Sequence, residues 1–176
     1  MITNIIVPTD GSEHADKACA LAGDIASKYG ASVTILHVLL SDFSLDQVQK
    51  LAKALGADKD LLKEIDRLIE LPMETIAFGG DTVPVMLPVP PEVLTRVGEL
   101  VTAAARKTVA EKGVDNIAVQ IVGGRPADAI IDAADRVKAD MIVMGSRGFG
   151  DLKGLLMGSV SHKVSNQSPI TCITVK

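Results

Sequence analysis

The residues of this chain best suited to chemistry lie near its C-terminal end: Gly145-Ser146-Arg147-Gly148, then nine residues, then Gly158-Ser159. A glycine, a cation, two further glycines and a hydroxyl in that order suit a phosphate group. Backbone N–H groups at a helix start have no intrahelical partner, and the helix dipole adds partial positive charge there. Glycine lets the backbone approach a ligand without a Cβ and adopts φ > 0 where a loop turns. Ser159 can donate its hydroxyl to a phosphate oxygen, and Arg147 can supply charge. A plain turn followed by a helix cap is the alternative. Position favours the ligand, because the loop follows an apolar run that reads as a strand, and open α/β sheets bind ligands at strand C-termini. The spacing fits neither a Walker A loop, which needs Gly-Lys-Ser/Thr, nor a Rossmann GxGxxG.

Asp10 ends the opening run Ile5-Ile6-Val7-Pro8-Thr9, where a ligand at the same sheet edge would lie. A carboxylate beside polyphosphate repels it unless a divalent cation intervenes, so Mg²⁺ is a natural companion. The bland role for Asp10 is to cap the next helix, which Ser12 can already do. His37 sits inside an apolar strand and reads as a core residue, while His14 and His162 fall on helices with no visible partner acid. No nucleophile, paired catalytic carboxylates or metal-ligand spacing stands out, so no residue is assigned as catalytic or as a metal ligand.

The elements that would position these residues alternate. Ile5–Val7 is a strand buried on both faces. Ser12 caps a helix with Ala15, Ala18, Cys19, Ala22, Ile25 and Ala26 inward, ending near Gly30. Val33–Leu39 is a second strand. Pro91 opens a helix to about Lys112, closed by Gly113. Ile117–Val122 is a third strand, Pro126 starts the next helix, and Met141–Met144 is a fourth strand. A last helix spans about Gly158 to Asn166, and Ile170–Val175 is a fifth strand. The order implies a parallel sheet with helices on both faces.

Residues 41–91 break the rhythm, since strand-to-helix connections usually take about 2–6 residues. Leu45, Val48, Leu51, Ala52 and Leu55 share one helical face, Gly56 interrupts, and Leu61, Leu62, Ile65, Leu68 and Ile69 share another. Five of the chain's eight prolines fall between Pro72 and Pro91, which predicts an extended or irregular arm. The whole reads as a helical hairpin plus a proline-rich arm inserted into one domain spanning residues 1–176. Its apolar run Val83–Val89 suits a lid or a surface for a protein partner.

Composition narrows the function. The chain has 176 residues, 47% of them hydrophobic, only 2% aromatic, with a net charge of −4. An aliphatic core follows, and a nucleic-acid partner is excluded by the missing basic footprint and stacking rings. Cys19 and Cys172 form no motif and read as small packed thiols. The N-terminus carries no basic n-region, and no run reaches the ~18 apolar residues of a membrane span, so a cytoplasmic protein is expected.

Gly145-x2-Gly148-x9-Gly158-Ser159, preceded by Asp140-Met-Ile-Val-Met144, resembles the nucleotide-binding signature of the universal stress protein family. Ile5-Ile-Val-Pro-Thr-Asp-Gly-Ser12, Leu36-His37-Val38 and Gly124-Arg-Pro126 are similar to its other landmarks. The likeness covers residues 1–40 and about 92–176. It implies an α/β fold with one open five-stranded parallel sheet in order 3-2-1-4-5 and ATP at the switch between strands 1 and 4. By position, it implies that Pro8, Thr9 and Asp10 line base and ribose, and that Val38 holds the adenine through its backbone. Met144, Gly145, Arg147, Gly148, Gly158, Ser159 and Val160 would hold ribose and phosphates. It also implies a homodimer paired through strand 5, whose apolar, uncharged edge otherwise needs cover. The expected role is an ATP-binding stress-response sensor or regulator. The alternatives are a slow ATPase or phosphoryl or nucleotidyl transferase, and an interaction module with a structural nucleotide.

Overall fold

The computed structural model describes residues 1–39, 43–71, 74–78, 81–85, 88–149 and 157–176, with backbone only for 74–78 and 81–85. The chain divides into two units, Met1–Leu39 with Gly98–Lys176, and Leu40–Val97.

The first unit is built on five parallel strands. In chain order they are β1 (Asn4–Pro8), β2 (Ser32–Val38), β5 (Ile117–Val122), β6 (Met141–Gly145) and β7 (Thr171–Val175). They lie in the order β5-β2-β1-β6-β7, which is the expected 3-2-1-4-5 when the strands of this sheet are counted alone. Neighbours are parallel throughout, with Ile5 opposite both Val33 and Met141. Successive side chains of a strand point to opposite faces, and here both faces are covered. Ile5, Val7, Val33, Ile35 and Val143 pack with helix α1 (Glu13–Tyr29) and with Ala105 and Val109 of α4 (Pro91–Ala110). Ile6, Leu36, Val38, Ile142 and Met144 pack with α5 (Pro126–Arg136) and with Val164 of α6 (Ser159–Gln167). That double burial is why the strands read as continuous apolar runs rather than alternating ones.

Local signals set the helix ends. Ser12 caps α1 by accepting from the Ala15 N–H, and Gly30 closes it in the left-handed conformation at φ 67°. Pro126 occupies the first turn of α5, where its missing N–H costs nothing. Asp140 accepts the Thr3 and Asn4 amides and the Thr3 hydroxyl, fixing the entry to β1 beside the entry to β6.

In the second unit, helix α2 (Leu45–Ala54) begins with a reciprocal Ser44–Gln47 capping box. Helix α3 (Lys59–Glu70) begins at Asp58, which accepts the Leu61 amide. Val48, Leu51, Ala52, Leu61 and Ile65 are buried, as the helical faces require. Arg96 grips both oxygens of Asp58 at 3.1 Å and reaches Glu64 at 3.0 Å.

Of the two readings of the stretch from Pro72 to Pro91, its described part takes the extended one, with a pairing the prolines did not announce: β3 (Glu74–Phe78) and β4 (Asp81–Val85) form an antiparallel pair, with Pro84 opposite Thr75. In a two-stranded ribbon both strands are edges, so a proline can turn its missing N–H outward without breaking the ladder. Pro72 and residues 86–87 of the apolar run lie outside the described residues.

Candidate functional site

Strands β1 and β6 lie side by side yet lead to helices on opposite faces of the sheet, α1 and α6, the switch point at which open α/β sheets form a ligand crevice. Pro8 ends β1, and the Thr9 amide donates to the Leu36 carbonyl of β2 at 2.8 Å. Asp10 follows. One carboxylate oxygen accepts the Ser12 amide at 3.0 Å, and the other accepts the Phe149 amide at 2.7 Å. A single side chain therefore joins the loop after β1 to the glycine loop after β6.

A second junction runs through helix α1. His14 Nδ1 lies 3.0 Å from Ser146 Oγ, and an Arg147 guanidinium nitrogen lies 3.0 Å from His14 Nε2. Arginine has donors only, so Nε2 is the acceptor and Nδ1 carries the hydrogen that goes to Ser146. Ser146 is 1% exposed and held from several sides. Its amide donates to the Val175 carbonyl, and its carbonyl accepts the Gly158 amide and the Ser161 hydroxyl, all at 2.7 Å. The Ser12 hydroxyl lies 3.4 Å from the Arg147 carbonyl.

Gly158 is the N-cap of α6 and supplies no side-chain cap. The first turn of that helix, Ser159 and Val160, thus keeps the donor character that an anion could use. Ser159 is exposed, Val160 is half-buried and Gly148 is exposed. Residues 150–156, most of the spacer in the glycine motif, lie outside the described residues.

The other expected residues occupy different settings. Met144 is buried in the core beside α5 and α6, so only its backbone can face a ligand. Val38 ends β2 opposite Val122, one strand beyond β1 from the glycine loop. At Gly145 a Cβ would stand 2.9 Å from the Ala15 nitrogen and from the His14 carbonyl carbon. That glycine makes room for helix α1. The Gly123-Gly124-Arg125 turn borders a groove of about 250 Å³ with Asp128 and Arg136.

His37 is a core residue, as expected: it is 1% exposed, its Nδ1 donates to the Thr9 carbonyl at 2.9 Å, and burial lowers its pKa. Cys19 is fully buried, and burial with nearby Asp16 pushes its thiol up to about 12, which removes thiolate chemistry. Sequence reasoning missed Ser146, Phe149 and His14 as site residues. Their contacts to the first loop span 132 or 139 positions, and only the glycine spacing hinted that the two ends meet.

The residues present fit an anionic ligand of phosphate type: a helix start with no side-chain cap, a half-buried guanidinium held by His14, and exposed backbone at Gly148. Among the described residues no group of three acidic, histidine or cysteine side chains forms a metal cluster. No helix among them is long and apolar enough to cross a membrane.

The sequence model of the universal stress protein family matches residues 1–176. The stress response protein NhaX of Bacillus subtilis (strain 168) is 34% identical over 175 residues, covering 98% of this chain and 96% of its own. Among solved structures, a universal stress protein in complex with cAMP superposes with a TM-score of 0.61 at 24% identity, covering 99% and 97% of the two chains. The universal stress protein from Archaeoglobus fulgidus in complex with dAMP gives 0.60 at 22%, covering 100% of both. At such identity these structures speak for the shared α/β fold.

Proposed function

The chain belongs to the universal stress protein family, and from that premise we propose that it binds ATP in the β1/β6 crevice and acts as a stress-response sensor whose signal is nucleotide occupancy. The carrying observation is the Asp10 carboxylate, which bonds the Ser12 and Phe149 amides together and so places two loops around one crevice. The uncapped start of α6 at Gly158 and the Arg147 guanidinium supply the positive end for phosphates. Pro8, Thr9 and Val38 border the side where base and ribose would lie, and Mg²⁺, with Asp10 the carboxylate nearest to hold it, would offset the phosphate charge. The likeness to proteins solved with cAMP and dAMP supports an adenine ligand.

The working form is a cytoplasmic homodimer paired through the edge of β7, with the second unit an insertion into one nucleotide-binding domain. Among the described residues, the site's imidazole, His14, is engaged on both ring nitrogens by Ser146 and Arg147 rather than left to activate a water, which favours a sensor over an ATPase.

Denaturing the purified protein and identifying the released small molecules tests this directly, together with calorimetric titration of ATP, AMP and cAMP with and without Mg²⁺. Co-purified adenine nucleotide, or saturable binding of one, is expected. A protein that releases none and binds none overturns the reading.

A further inference from the structure

We propose that His14 is a positioning residue for the phosphate site, holding the Arg147 guanidinium in place through its Nε2 lone pair; this rests on the nucleotide reading above. Three observations carry it. Ser146 is anchored by the Val175 carbonyl, the Gly158 amide and the Ser161 hydroxyl, so its Oγ is a fixed acceptor. His14 Nδ1 donates to that oxygen at 3.0 Å, and the opposite ring nitrogen accepts from Arg147 at 3.0 Å. The imidazole is thus a strut between a buried post and a half-buried cation. Gly145 is what lets the strut stand, because any Cβ there would meet the His14 and Ala15 backbone at 2.9 Å.

An arginine on a free surface samples many rotamers and gives up that freedom when it grips an anion. Here the loss is taken on folding, so the guanidinium meets a phosphate already oriented. Its remaining N–H groups stay available, since Nε2 occupies one of five donors. Glu13, the carboxylate adjacent in sequence, is bonded by Lys17 at 2.7 Å and feels the Arg147 charge only as a lesser influence.

Two substitutions separate the halves of the strut. His14→Gln can place an amide oxygen near the Nε2 position and keep an acceptor for Arg147. His14→Asn can reach Ser146 with its shorter amide but not Arg147. Titrating ATP and adenosine into both variants, Arg147→Ala and the double variant His14→Asn/Arg147→Ala reads the role. His14→Asn should weaken ATP about three- to tenfold, the cost of one newly immobilised side chain, and leave adenosine unchanged. His14→Gln should restore ATP affinity, and His14→Asn should add nothing in the Arg147→Ala background. Imidazole nitrogen shifts of the ligand-free protein should show the hydrogen on Nδ1.

Additive losses, equal losses for ATP and adenosine, or a hydrogen on Nε2 each overturn the positioning role while leaving nucleotide binding intact. A wild-type protein that binds no adenine nucleotide overturns the proposed function, and this role falls with it.

Discussion

A Cβ on Gly145 would stand 2.9 Å from the backbone nitrogen of Ala15, so the first glycine of the phosphate motif is reserved for helix α1. Its backbone is not in the left-handed region; the requirement is space. The glycine therefore acts on the site indirectly, by setting how close α1 and its His14 come to the loop.

Gly145→Ala should accordingly cost stability, about 1–3 kcal/mol as for other overpacked sites, because backbone cannot rotate away as a side chain would. Urea unfolding of the purified variant measures it. Stability equal to wild type would mean that α1 can shift freely, and would remove the geometric reason for this glycine.

Ser159 opens α6 at the proposed phosphate position. Ser159→Ala removes one hydrogen bond to a charged group, about 1.5–3 kcal/mol, or roughly 10–150-fold in ATP affinity. Gly148→Val should do worse by filling phosphate space. Calorimetry showing wild-type ATP binding in both variants would move the phosphates elsewhere.

His37 links stability to pH. Burial holds its folded pKa below the ordinary 6.5, so between the two values the unfolded chain binds a proton that the native state refuses. Its stabilising contribution is full above the unfolded value and is lost as pH falls toward the lower folded one. The slope of unfolding free energy between pH 7 and 5 should be shallower in His37→Gln than in wild type. Equal slopes would mean that the ring charges without cost where it stands, against Gly98, whose added Cβ would lie 2.8 Å from Cδ2.

The Val175 carbonyl accepts the Ser146 amide, so residues 171, 173 and 175 turn their polar groups inward to β6. Cys172 and Thr174 turn theirs outward along the open edge. Thr174→Pro deletes an outward N–H only, which an edge strand tolerates. If two copies pair through β7, this variant should sediment as a monomer with the fold intact. An unchanged dimer would place the interface on another surface. Ile173 is unsuited to that test, because its side chain packs against the cluster of Ile5, Val7 and Val143 under α1.

How much of this could be read from the sequence depended on distance along the chain. Ile117–Val122 and the Ser12, Gly30 and Pro126 boundaries were legible because each rests on signals a few residues apart. The glycine motif was legible for the same reason. The reason for Gly145 was not, since it lies in the backbone of Ala15, and neither was His14, whose partners come from 132 and 133 residues away. The hairpin of β3 and β4 was hidden by its prolines, although Gly79-Gly80 between two short runs is a hairpin signal. The place of strand 5 at the sheet edge was readable, but which of its side chains turn inward, as that of Ile173 does, was not.

The bonds from Asp10 to Phe149 and from His14 to Ser146 join segments made at opposite ends of synthesis. Contacts of such sequence separation form late, after loop-closure entropy has been overcome. A chain emerging from the ribosome would hold β1 and β2 long before β6 and β7 exist, with no crevice between them. If the crevice takes the proposed nucleotide, its capture reports complete folding, and a chain truncated before β6 would bind none however well its first half had formed.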